Sequence, residues 1–412
     1  MSRNDENVVS QLSKQIWILA LVSFFMNSAS VVITAMTPYY ITVILGGSTS
    51  TIGWIRGVSE TVAFVVKLFS GLLSDYIGKR KIIVVTGYAV AFITKPLFAI
   101  TQGVWMYFSI QMIERIANGL RDTPRDALIA DYATKGEKGK AFGIRNACAY
   151  AGSLLGSIAC FLLLNSMNHD SSTSIRMVYF LAAIPAGIAV FLLIFGIKEP
   201  KLTALKKQGV FPIKNEDIVR LDHNFWKLMF VVFLFMCARF SETFLIHRLL
   251  NAGLQNIYAS LVLALMYMFN VPVAHLVGSL SDKIPRKYFL GFGFVMLTIA
   301  SSLLIYTGPE TISYGLLAII CYGIHHGSTQ GTMTAMVADY APAKLKGTSF
   351  GVFNLVCALG ILISNLLTGC IWDMYGPNVA FGLMTCFATL AMISLLCISS
   401  SAQPVSASDG TA

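Results

Sequence analysis

Twelve times along this chain, a run of roughly 20 mostly apolar residues is closed by a short polar break. The runs fall at about 17–42, 52–74, 82–102, 104–130, 141–164, 176–197, 225–250, 256–280, 288–307, 312–338, 348–370 and 378–399. A helix of that length rises about 30 Å, the thickness of a bilayer's hydrocarbon core. No water reaches that core, so each backbone N–H and C=O must be paired within its own segment. The pattern predicts an all-α membrane protein with twelve transmembrane helices. Composition excludes the soluble alternative: 56% of residues are hydrophobic and 12% charged, against about a quarter charged in a soluble domain.

The formal net charge of +10 would by itself admit nucleic acid as a partner, but its placement excludes that. Lys79, Arg80 and Lys81 follow the second run, and Lys135, Lys138 and Lys140 the fourth. Lys283, Arg286 and Lys287 follow the eighth, and Lys344 and Lys346 the tenth. Loops on the other side are nearly bare, with Arg176 the one basic residue there. Basic loops stay in the cytoplasm, so both termini and the loop at 198–224 are expected inside, with the lipid bilayer surrounding the spans. Residues 1–15 of the cytoplasmic 1–16 segment are polar, and the run after them is too long for a signal h-region, so no cleavable signal is expected. The eight cysteines lie in or beside apolar runs without a Cys-x-x-Cys, which indicates neither a disulfide framework nor a metal site.

Residues 198–224 divide the runs six and six, into 17–197 and 225–400, and a polar tail at 401–412 is expected to be disordered. The second half rewrites the first. GLLSDYIGKRK, Gly71 to Lys81, returns as GSLSDKIPRK, Gly278 to Lys287. ALIADYATKGEKGKAFGIRN at 127–146 returns as AMVADYAPAKLKGTSFGVFN at 335–354, with Ala130, Asp131, Tyr132, Gly139, Phe142, Gly143 and Asn146 all recurring 208 residues on. Two matches at essentially one offset argue for a duplicated six-helix unit, hence two pseudo-symmetric six-helix bundles.

GLLSDYIGKRK resembles the loop 2–3 signature of the major facilitator superfamily, and Arg115-x-x-x-Gly119 resembles that superfamily's span-4 arginine motif. The resemblance covers the whole chain through span count, central loop and repeat. GLRDTPRDALIADY in span 4 is similar to a bacterial subgroup of transporters, some of them found with siderophore uptake systems. The resemblance implies a monomeric secondary transporter of a bacterial inner membrane, not an enzyme, with no cofactor beyond a proton gradient. One departure is Pro285, where the signature has a second glycine; Gly78 keeps it in the first half. It also implies a cytoplasmic gate whose ion pairs latch and release, built from Asp75, Arg80 and Asp131 and repeated as Asp282, Arg286 and Asp339. Read alone, the same residues serve equally as helix caps and topology signals.

Ionisable groups at bilayer depth cost about 2.5–3.5 kcal/mol each on insertion scales, so each is a functional candidate. Arg56, Glu60 and Lys67 share one face of span 2. Lys95 lies in span 3, Glu114 and Arg115 in span 4, and Arg239 and Glu242 in span 7, with His247 and Arg248 beyond them. His275 lies in span 8, and His325 and His326 in span 10. In the superfamily's fold, spans 1, 4, 7 and 10 line a central cavity. Arg115, Arg239, Arg248, His325, His326 and Gln330 are therefore the expected substrate contacts, and arginine forks suit carboxylate or phosphate. The lining reads as cationic and the solute as small, anionic and carboxylate-rich, a siderophore being its sharpest form. Other readings stay open: Arg115 as a fold residue, and Arg121, Asp122, Arg125 and Asp126 as a structural ion-pair cluster around Pro124. Arg56 with Glu60, and Arg239 with Glu242, are open to reading as self-neutralising pairs. His325 and His326 are adjacent and point about 100° apart on a helix, so one metal ion is not expected to take both.

No Walker A sequence is present, so the chain is expected to run on an ion gradient. Glu60 and Glu242, each near a basic residue, are the candidate proton carriers, with the span-10 histidines as further titratable groups. Proton-coupled uptake, by rocking of residues 1–197 against 225–400, is the leading expectation; a proton-driven drug or metabolite exporter is the second. Neither His-Glu-x-x-His nor Gly-x-Ser-x-Gly occurs to support an enzyme. A sensor would want fused regulatory sequence, and the tail is short.

Overall fold

The computed structural model describes residues 13–133, 138–167, 171–199, 221–281, 284–342 and 345–397. Most of the 1–16 segment, residues 200–220 of the central loop, the 401–412 tail and Asp282 lie outside these, as does the side chain of Asp75. Among the described residues there is no strand, and fourteen α-helices make up twelve spans. The first half holds α1 (Lys14–Tyr39), α2 (Thr49–Ile77), α3 (Arg80–Ala99), α4 (Val104–Tyr132), α5 (Lys138–Asn165), α6 (Ser172–Leu181) and α7 (Ala183–Gly196). The second holds α8 (His223–Ala238), α9 (Glu242–Asn251), α10 (Ala259–Leu280), α11 (Arg286–Ile305), α12 (Ile312–Tyr340), α13 (Lys346–Tyr375) and α14 (Pro377–Leu396). Two spans come in two pieces. Helices α6 and α7 meet at Ala182, while α8 and α9 are parted by Arg239, Phe240 and Ser241.

Local chemistry fixes several ends. Ser48 caps α2 reciprocally with Thr51, hydroxyl to N–H at 3.3 Å and N–H to hydroxyl at 3.2 Å. Gly78 closes α2 at φ 67°, a left-handed conformation that only glycine adopts without cost, and its N–H reaches the Ser74 carbonyl at 3.0 Å. The repeat's departure, Pro285, stands just ahead of α11 at φ −52°, where a missing N–H removes nothing the helix needs. Helix α4 runs on through Pro124 as one element.

Among the described residues, nine spans are long and apolar enough to cross a membrane by composition alone; α2, α4 and α12 are not among them. Those three carry charged and polar groups at bilayer depth, and they pay for it by packing inside the protein. Each half repeats the same packing. Helix α1 lies against α5 and α7, and α4 against α2 and α3; correspondingly α8 lies against α13 and α14, and α12 against α10 and α11. The halves meet along two long seams, α2 on α13 and α5 on α10. Lipid supplies no hydrophobic force between helices, so close approach of small residues holds such seams. A Cβ on Gly53 would lie 2.3 Å from the Asn365 carbonyl oxygen, so α2 and α13 touch backbone to backbone only because glycine is there.

Candidate functional site

Span 7 breaks where the sequence places its charges. Helix α8 ends at Arg239 in extended conformation, and α9 restarts behind Ser241, whose hydroxyl accepts the Thr243 N–H at 3.3 Å. Ser-Glu-Thr is an N-cap pattern, and it is the one sequence signal for the break. Backbone groups exposed at bilayer depth need partners, and two other spans supply them. Tyr322 of α12 donates its hydroxyl to the Phe240 carbonyl at 2.5 Å, and Asn365 of α13 accepts the Ser241 N–H at 3.2 Å. Arg56 of α2, from the opposite bundle, donates its Nε–H to the Ser241 hydroxyl at 3.1 Å.

Beside the break is a cavity of about 240 Å³. Asn27, Ser30 and Thr34, on one face of α1, form part of its wall, and Glu242 and Tyr267 close it from the second half. Its charged lining is Arg56, Arg115 and Arg121 against Glu60, Glu114 and Glu242. The cationic lining expected from the sequence is therefore corrected to a balanced one. Glu60 Oε1 sits 3.1 Å from Arg115 Nη1 and 3.9 Å from Arg56 Nη2. Glu114 pairs with Lys95, fully buried on α3, whose Nζ also donates to Ser30 Oγ at 3.0 Å. Arg121 lies over the Tyr88 ring, 4.2 Å from its centroid. Among the described residues, neither Arg121 nor Glu242 has an oppositely charged group within 4 Å. Arg239 lies beside both Glu242 and the Tyr322 hydroxyl, but forms no ion pair with Glu242 within 4 Å.

The other expected contacts lie away from this cavity. His325 is fully buried, with Nδ1 2.9 Å from the Gly293 carbonyl and its ring against Phe235 and Tyr322. His326 meets Asn270 at 2.6 Å within the second bundle. Arg248 fastens α9 to the end of α11 through the Leu304 and Ile305 carbonyls, at 3.0 and 3.2 Å, and to Asn378 at 2.7 Å. Gln330 is exposed and accepts the Tyr150 hydroxyl at 3.1 Å across the α5–α12 interface. Of the six expected contacts, only Arg115 lines the cavity. The offset explains the asymmetry: 208 residues after Arg115, Arg121 and Asp122 stand Gly323, Thr329 and Gln330, so the duplication kept the scaffold and not the charge.

Arg125 joins Asp122 and Asp126, each at 3.0 Å, while Lys67 reaches Asp122 at 3.9 Å and Arg145 reaches Asp126 at 3.0 Å. This is the ion-pair cluster of the alternative reading with Lys67 and Arg145 added and Arg121 left out. Of the expected gate, Arg80 pairs with Asp131 and Arg286 with Asp339. The first pair ties α3 to α4 and the second ties α11 to α12, so each stays inside its own bundle. A latch between halves requires a pair that crosses, and a crossing clasp lies at the opposite, bare end. There Asp373 of α13 accepts the Thr49 and Ser50 N–H groups of α2 at 3.1 and 2.7 Å, a carboxylate on a helix N-terminus. His247 Nε2 and Thr49 Oγ1, 3.1 Å apart, stand beside it.

Residues 16–365 match the sequence model of the Major Facilitator Superfamily, and the chain belongs to that superfamily as a multi-pass secondary transporter. It is 29% identical over 404 residues to the uncharacterized MFS-type transporter MJ1317 of Methanocaldococcus jannaschii, covering 97% of this chain and 98% of that one. It is 22% identical to the uncharacterized MFS-type transporter YuxJ of Bacillus subtilis, over 88% of this chain and 92% of that one. Its fold matches the nucleoside transporter NupG with a TM-score of 0.76 at 12% identity, over 93% of this chain and 99% of that one.

Proposed function

We propose that this chain is a proton-coupled uptake carrier of a bacterial cytoplasmic membrane, taking a small polar solute at the central cavity. Glu60 is the proton-coupling group. The observation that carries this is the double engagement of Arg56, which faces Glu60 at 3.9 Å and holds Ser241 across the seam at 3.1 Å. A proton on Glu60 removes the charge that positions Arg56 and Arg115, and Arg56 in turn anchors the break in span 7. Proton binding and the fit of the two bundles are thereby joined through one side chain. Glu242, the other candidate proton carrier, faces the cavity without a basic partner and is better suited to the solute. A polycarboxylate siderophore is a poor match to a balanced lining of this size. The volume is that of roughly eight waters.

The test is proton flux in proteoliposomes loaded with a pH-sensitive dye and challenged with a panel of small polar solutes. A solute-dependent proton influx is expected in the wild type and its loss in Glu60→Gln. Unchanged influx in Glu60→Gln contradicts the assignment.

A further inference from the structure

The cavity's charges form a set from which two members are left over. Glu60 is taken by Arg115 and Arg56, and Glu114 by Lys95. Asp122, the acidic neighbour of Arg121 in the chain, is taken by Arg125 and Lys67. What remains is one cation, Arg121, and one anion, Glu242, both in the wall of the same cavity.

Arg121 is held in place without being satisfied. Its side chain is 6% exposed, and its guanidinium rests on the Tyr88 ring. Yet its Nε and Nη1 are buried with no hydrogen-bond partner. Donors in that state cost about 1–3 kcal/mol each unless something accepts from them. Gly87 makes the position: a Cβ there would lie 2.7 Å from Arg121 Cβ. The neighbouring Asn118 side-chain oxygen, in the same wall, is also buried without a partner. Glu242 opens α9 from the second bundle, and the nearby Arg239 is engaged by Tyr322. The leftover cation therefore belongs to the first bundle and the leftover anion to the second.

Resting on the carrier reading above, we infer that the solute is a small zwitterion of the amino-acid or short-peptide class, its carboxylate on Arg121 and its ammonium on Glu242. Such a molecule satisfies both groups without adding net charge to the cavity. A dianion would leave Glu242 facing like charge, and a cation would leave Arg121 empty. A zwitterion also spans the bundles, so its binding draws them together about the break in span 7.

The test is a thermal-shift titration of the purified full chain with the common amino acids and with L-alanyl-L-alanine. Each is compared with its carboxamide, its N-acetyl derivative and succinate. At least one zwitterion is expected to stabilise the protein, with blocking of either end weakening binding about tenfold or more. Arg121→Gln is expected to stop distinguishing the zwitterion from its carboxamide, and Glu242→Gln from its N-acetyl form. Arg121→Lys keeps the charge and supports folding if the glutamine variant is unstable, and it is expected to bind more weakly for want of the fork. No stabilisation by any zwitterion, or equal stabilisation by succinate or by the singly blocked forms, overturns the inference. Solute-driven, Glu60-dependent proton influx without zwitterion preference sinks this inference and leaves the carrier. Zwitterion selectivity with proton influx unaffected in Glu60→Gln does the reverse.

Discussion

Arg56 and Ser241, 185 residues apart, are joined at bilayer depth by a 3.1 Å hydrogen bond that crosses from one bundle to the other. Ser241 is also the N-cap of α9, so one hydroxyl serves both a helix end and the seam. Replacing Ser241 by alanine removes both services. A loss of about 1–2 kcal/mol is expected, seen as a lowered melting temperature in detergent. Ser241→Thr keeps the hydroxyl and is expected to recover most of it.

Lys95 and Glu114 form the most buried ion pair of the first half, at 0% and 5% side-chain exposure. Removing one member strands the other, so Lys95→Met is expected to cost about 3–5 kcal/mol. Lys95→Met with Glu114→Leu is expected to be milder than the single change, because no charge is then left buried. Equilibrium or thermal unfolding of the three variants measures the order.

Glu60 and Arg115 touch at 3.1 Å inside the cavity. A double-mutant cycle with Glu60→Gln and Arg115→Gln is expected to give a coupling energy of about 0.5–3 kcal/mol from melting curves. Additive effects would mean the contact carries no energy.

Asp373 closes the bare end by accepting two N–H groups of α2 from the other bundle. Asp373→Asn is expected to lose about 0.3–2 kcal/mol of that closure. Cysteines placed on the cavity wall, at Ser30 or Thr34, should then react faster with an impermeant reagent added from that side. Asp131→Asn and Asp339→Asn, each within one bundle, are expected to cost about 1 kcal/mol or less and to leave that labelling rate unchanged.

Span count, repeat and membrane class were legible because lipid enforces them: apolar length is visible residue by residue, and the 208-residue offset needs no structure to be found. Depth is legible in part: Arg115 and Glu242 stand at mid-span by position alone and both line the cavity, whereas Arg239, His325 and His326 stand at similar depth and do not. What the sequence does not carry is helix rotation. His325 and Arg115 stand at similar depth, yet one turns into the second bundle's core and the other into the cavity. That choice is made by packing: Gly293 offers His325 a carbonyl, while α2 offers Arg115 a carboxylate. The pairing of Glu114 was hidden for a different reason. Its partner Lys95 lies on another span 19 residues away, and only the fold brings α3 against α4 there.

If the charge on Glu60 sets the fit of the two bundles, as proposed, a distance measurement shows it without knowledge of the solute. Spin labels at Val43 and Tyr306, both exposed at the bare end of opposite halves, would report that fit in a cysteine-free background. The wild type is expected to shift its distance distribution on acidification. Glu60→Gln is expected to hold the acidic distribution at every pH. A wild-type shift that persists unchanged in Glu60→Gln would rule out Glu60 as the group that couples protons to the bundles.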